Sequence, residues 1–162
     1  MPPYLPLLVL SVLTHSPSAV PATPVGTLET VTACVAATRA DVEDALGQSV
    51  QPGREQVARL ESTCDYTGFG GQVSIAVHHS EGKLDVPAEI ASLKAALPDA
   101  TLREVPGIGT RAFYLDMAGI GTQLHIIRGD HDYLLVSVLG FGDPADVAPA
   151  AEFIARKALE RL

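Results

Sequence analysis

The residues with the most chemistry to offer are few: two cysteines, Cys34 and Cys64, and five histidines, His15, His78, His79, His125 and His131. A thiolate metal site needs more Cys or His partners at short spacing. A redox pair would show C-x-x-C. Cys34 and Cys64 fit neither pattern and are read as one structural disulfide, formed in an oxidising compartment; in the cytosol the same two residues would remain thiols. Closing a loop of this size is worth about 3–4 kcal/mol through the unfolded chain. His78 and His79 are adjacent in a strand pattern, so they project from opposite faces and do not readily share an ion. A metal centre or enzyme site would have to gather His125, His131 and a carboxylate such as Asp116 by tertiary proximity. Tyr114, Asp116 and His125 are expected on the sheet face opposite the core, as a half-polar surface or a ligand patch.

Two sequence patterns bear on other chemistries. Gly107-Ile108-Gly109-Thr110-Arg111-Ala112 has the letters of G-x-G-x-x-A. Dinucleotide binding needs that turn to open a helix whose N-terminus holds the pyrophosphate. Here Ala112-Phe113-Tyr114-Leu115 follows, which reads as a strand, so the glycines belong to a turn between strands. No G-x-S-x-G nucleophile elbow is present. No catalytic residue, cofactor-binding residue or cofactor is assigned.

The elements that would position these side chains follow from capping and periodicity. Thr38-Arg39-Ala40-Asp41 has capping-box spacing and opens a short helix with Val42, Ala45 and Leu46 on one face, closed by Gly47. An irregular strand is expected over 56–61 and a better one over 62–67. A glycine-rich connection then leads to 72–79, where Val73, Ile75, Val77 and His79 alternate with Ser74, Ala76 and His78. Asp85 caps a second helix whose apolar residues Val86, Ile90, Leu93 and Leu97 recur at spacings of four, three and four, ended by Pro98. Strands are expected at 101–105, 111–117, 122–128 and 133–139, joined by turns. Pro149 predicts a loose turn at 144–148 and a regular helix only from there on. The fold class is α+β: an antiparallel β-sheet with three helices packed on it and one disulfide.

With 47% apolar and 19% charged residues, the chain can bury a core, and its length suits one domain. A net charge of −8 repels phosphate backbones and anionic membranes, so nucleic acid is excluded as a partner. Residues 1–22 contain no Asp, Glu, Lys or Arg. Leu5–Leu13 is too short to span a bilayer and has the length of a signal-peptide core, with Val20-Pro21-Ala22 as the cleavage site. Residues 23–30 read as a flexible spacer and 31–162 as the single domain.

Cys34, Thr38-x-x-Asp41-Val42, Ala45-Leu46-Gly47, Cys64-x-Tyr66 and Val105-Pro106-Gly107-Ile108-Gly109 with Ala112-Phe113 resemble a group of small exported bacterial proteins and lipoproteins of unknown function. The resemblance spans 31–162. It implies a PsbP-like α/β fold, a Cys before the first helix paired with a Cys in an early strand, and export. It brings no catalytic residues. Many members carry a lipid-attached Cys at the processing site, and this chain has none there.

These readings converge on a secreted or periplasmic protein of the cell envelope. It is expected to be a non-enzymatic binding or accessory module for a protein or small ligand, with no membrane span. The alternative is a metal-binding protein or enzyme using the His125/His131 region.

Overall fold

The computed structural model describes residues 31–162. The leader, its cleavage site, the spacer and His15 lie outside them. The elements are α1 (Ala33–Ala36), α2 (Arg39–Leu46), β1 (Arg54–Val57), β2 (Glu61–Gly68), β3 (Gly71–His79), α3 (Val86–Ala96), β4 (Thr101–Val105), β5 (Arg111–Met117), β6 (Gly121–Arg128), β7 (Asp132–Leu139) and α4 (Pro144–Arg161). One seven-stranded sheet runs in the order β1-β2-β3-β7-β6-β5-β4, with every neighbouring pair antiparallel. Two meanders therefore meet at the central β3–β7 pair.

Strand alternation gives the sheet two apolar faces, and each has its own cover. Tyr66, Val73, Ile75, Tyr114, Leu124, Ile126, Val136 and Val138 form a core with α1, α2 and the stripe Val147, Ala151, Ile154 and Ala158 of α4. Phe113, Leu115 and Ile127 face the other way, where Val86, Ile90 and Leu93 of α3, with Leu97 just after it, pack on them. Helices thus lie on both faces. There are four of them rather than the three expected, because Cys34, read as preceding the first helix, lies in a helical turn of its own, α1. Thr38 has extended backbone (φ −79°, ψ 163°), which an N-cap requires, and this separates α1 from α2. The capping box itself forms: Asp41 Oδ2 accepts from the Thr38 amide at 2.8 Å, and Thr38 Oγ1 accepts from the Asp41 amide at 3.4 Å.

Two further boundaries differ from expectation. The irregular strand falls at Arg54–Val57, and all four of its residues are exposed. An edge strand with no buried face leaves no alternation to read. Helix α4 runs unbroken through Pro149 from Pro144. Proline removes the hydrogen bond to the carbonyl four residues back. Here both Pro149 and Ala145 are exposed, so the missing bond falls on the water-facing side of the helix.

The disulfide joins Cys34 of α1 to Cys64 of β2, with Cα atoms 5.1 Å apart. A second tie closes the same region. Arg161, at the end of α4, donates to Asp41 Oδ2 at 2.7 Å and Oδ1 at 3.1 Å, and to the Ala36 carbonyl at 2.7 Å. Burial alone would raise the Asp41 carboxyl, but the hydrogen bonds from Arg161 and Thr38 outweigh it and hold the pKa at about 2. Among the described residues no helix is long and apolar enough to cross a membrane.

Candidate functional site

The β5–β6 hairpin decides where the histidine at the centre of the sequence reading points. Its turn aligns Phe113 with His125 and Asp116 with Thr122. Side chains directly opposite share a face. His125 therefore joins Phe113 on the α3 face, whereas Tyr114 and Asp116 project to the α4 face. The expected grouping of Tyr114, Asp116 and His125 does not form, because the grouping crosses the pleat.

His125 is 1% exposed. Its ring stacks on Phe113 with centroids 5.0 Å apart and planes 3° from parallel. Nδ1 is hydrogen-bonded to the Tyr133 hydroxyl, and Nε2 is buried with no partner among the described residues. Burial disfavours the charged imidazolium and lowers the pKa to about 4, so the ring is neutral at ordinary pH. Burial, with the nearby Glu89 charge, pushes the Tyr133 hydroxyl well above its ordinary value. A neutral imidazole has one N–H and one lone pair. Whichever is engaged by Tyr133, the other is unused, and an unpaired buried polar group costs about 1–3 kcal/mol.

Beside this pair is a cavity of about 300 Å³ between α3 and the sheet. Its apolar and aromatic lining is Ala76, Leu84, Val86, Ile127, Tyr133 and Leu135, with Glu61, His78 and Glu89 as its polar groups. His125 lies directly across from Leu135 in the ladder, and Ile127 is two residues along the same strand. Helix α3 has the capping expected of it, with Asp85 Oδ1 accepting from the Ala88 amide at 3.0 Å. Yet none of its eleven residues is fully buried. By contrast, α4 buries six. The cavity is roofed by a helix that packs lightly.

The other sequence-derived candidates lie elsewhere. Asp116 accepts from Arg103 at 3.0 Å and from Thr122 Oγ1 at 2.6 Å. Tyr114 donates to the Ala148 carbonyl and to Glu152, at 3.1 and 2.9 Å, locking α4 to β5. Arg103 lies over the Tyr114 ring, 4.2 Å from its centroid. This cluster holds a helix on a sheet with its polar groups paired. His131 sits in the β6–β7 turn, where Nδ1 donates to the Ser80 and Gly82 carbonyls at 3.2 and 3.1 Å. His125, His131 and Asp116 are thus not brought together. Among the described residues, no three His, Cys, Asp or Glu side chains form a metal-holding group. The Gly107–Gly109 turn joins β4 to the antiparallel β5 and opens no helix. Tyr133 and the α3 roof are the parts of the site that the sequence reading missed. The α3 stripe was visible, but its place opposite His125 depends on which sheet face it covers.

Comparison with family models, with curated proteins and with solved structures finds no match for this chain.

Proposed function

We propose that this protein is a non-enzymatic binding module of the cell envelope, secreted or periplasmic, that holds a small and mostly apolar ligand between α3 and the sheet. The observation that carries this reading is the apolar cavity of about 300 Å³ under a helix with no fully buried residue. That volume is at the lower end of ligand pockets, which run from about 300 to 1,000 Å³ and combine apolar walls with a few polar groups. Tyr133, backed by the buried and half-satisfied His125, supplies one such polar group. Glu61 and Glu89 in the lining disfavour an anionic ligand. The Cys34–Cys64 disulfide supports an oxidising location, and so does the signal-like leader of residues 1–22. The resemblance to small exported bacterial proteins supports the same location.

The test is titration of the full chain with N-phenyl-1-naphthylamine, a neutral apolar fluorophore. Saturable one-to-one binding is expected. Ala76→Phe, which fills the cavity from the sheet side, should abolish it while the urea midpoint stays close to that of the parent. Absence of saturable binding, or equal binding by the Ala76→Phe protein, would overturn the proposal. Intact mass of protein recovered from the envelope tests location: cleavage after Ala22 and a mass two hydrogens short are expected.

A further inference from the structure

The β6–β7 turn and the β3–α3 loop are tied to each other at one end of the sheet. The Ser80 amide donates to the His131 carbonyl and the Leu84 amide to the Asp130 carbonyl, each at 2.8 Å. Lys83 pairs with Asp130 at 3.3 Å. This frame sets the His131 ring near that of His79, the last residue of β3, with centroids 6.0 Å apart and planes 33° from parallel.

Both rings are held by the same nitrogen. His79 Nδ1 lies 2.7 Å from Asp132 Oδ1, and His131 Nδ1 lies within 3.2 Å of the Ser80 and Gly82 carbonyls. An ionised carboxylate and a backbone carbonyl only accept, so in the neutral rings each Nδ1 carries the proton and each Nε2 carries a lone pair. Fixing Nδ1–H on a carboxylate or a carbonyl is how proteins orient metal-ligating histidines and raise their basicity. The separation is within reach of one ion. Two imidazoles sharing one ion at about 2.1 Å from each nitrogen place their centroids no more than about 6.5 Å apart.

The geometry points to a two-histidine site for one borderline divalent transition-metal ion, ligated by Nε2 of His79 and Nε2 of His131, with Asp132 orienting the first ring and the loop carbonyls the second. Imidazole nitrogens select copper, nickel or zinc over magnesium and calcium, and Cu(II) binds most tightly in that series. No third protein ligand is in place among the described residues, so the remaining positions are taken by water. The His79 side chain is 57% exposed, so the ion has an open approach. His78 is the internal control, since it projects to the other face of the same strand. This site is separate from the α3 cavity and does not depend on a ligand there.

The test uses the full chain titrated with Cu(II) and with Zn(II) by calorimetry, with electron paramagnetic resonance on the copper form. One ion per chain, Cu(II) bound more tightly than Zn(II), and hyperfine coupling to two nitrogens are expected. Asparagine places its amide N–H near Nδ1 and has nothing at Nε2. His79→Asn and His131→Asn therefore keep the loop hydrogen bonds while removing the ligands. Each should abolish the two-nitrogen signal without lowering the metal-free melting temperature. Asp132→Asn should weaken binding about 10- to 100-fold, and His78→Asn should leave it unchanged. Failure to bind one ion per chain would overturn the site. So would one-to-one binding that survives the double His79→Asn/His131→Asn variant.

Discussion

Replacing Asp41 by asparagine removes one charge from the clasp that holds the end of α4 against α2. Asp41 is 8% exposed and the Arg161 side chain 34%, so water screens the clasp only in part. Its carboxyl pKa falls from 3.8 to about 2 on folding, with Arg161 and Thr38 as the stabilising partners. At about 1.4 kcal/mol per tenfold change in proton affinity, this is on the order of 2 kcal/mol of folding stability. The sign follows from the direction. The folded state holds the proton less tightly than the unfolded chain, so the contribution is complete above about pH 4 and is lost as pH falls toward 2. Urea unfolding followed by circular dichroism reads it directly. With a slope of about 1–3 kcal/mol per molar, the Asp41→Asn midpoint should fall by about 1 M at pH 7. Parent and variant should converge as pH approaches 2. Other carboxylates, Asp132 among them, titrate in both proteins and cancel in the comparison. A gap at pH 7 no larger than the few tenths of a kcal/mol typical of an exposed ion pair would refute the reasoning. A gap that persists undiminished at pH 2 would refute it too.

Cys34→Ser in oxidised protein should cost about 3–4 kcal/mol, the loop-closure value for a separation of 30 residues; the same loss should appear when the parent is reduced, read as the urea midpoint. His125→Phe should flatten the acid limb of the stability curve. The buried ring refuses a proton down to about pH 4 that the unfolded chain takes near 6.5, so the parent should lose on the order of 3 kcal/mol as pH falls through that window and the variant should not. Gly109→Ala should destabilise more than Gly107→Ala. Both glycines have positive φ, but a Cβ at 109 would lie 2.6 Å from Ile126 Cγ2, while nothing lies within 4 Å at 107. Thermal melts of the two variants check the order.

Much of this fold could be read from local signals that tertiary structure did not override. The capping box at Thr38, the alternation along β3, the spacing of Val86, Ile90, Leu93 and Leu97, and the glycine turns each fixed an element that the structure contains. The cysteine pair was legible because so few alternatives fit two residues thirty apart. What failed was information about faces and edges. Strand β1 carries no alternation because neither of its sides meets the core. Pro149 reads as a helix boundary only if its neighbours are assumed to be buried. The grouping of His125 with Tyr114 and Asp116 set one strand against the next without the register. The turn centred on 119 already implies that odd residues of β5 meet odd residues of β6, which pairs His125 with Phe113. The cavity was beyond reach for a different reason: it depends on how closely α3 settles on the sheet, and no residue type records that distance.

The placement of α4 has a consequence for how the chain reaches its native state. Residues 144–161 cover the sheet face carrying Val73, Ile75, Leu124, Ile126 and Val136, and Arg161 ties back to a residue 120 positions earlier. During synthesis α4 cannot cover its share of that face until residues 144–161 have emerged. The central β3–β7 pairing likewise waits for strands about sixty residues apart in sequence. A domain assembled from such distant pieces folds slowly, and its core closes only once residue 161 has been made. The Cys34–Cys64 bond joins two residues that are both made well before α4, so it can close while the sheet still lacks that helix.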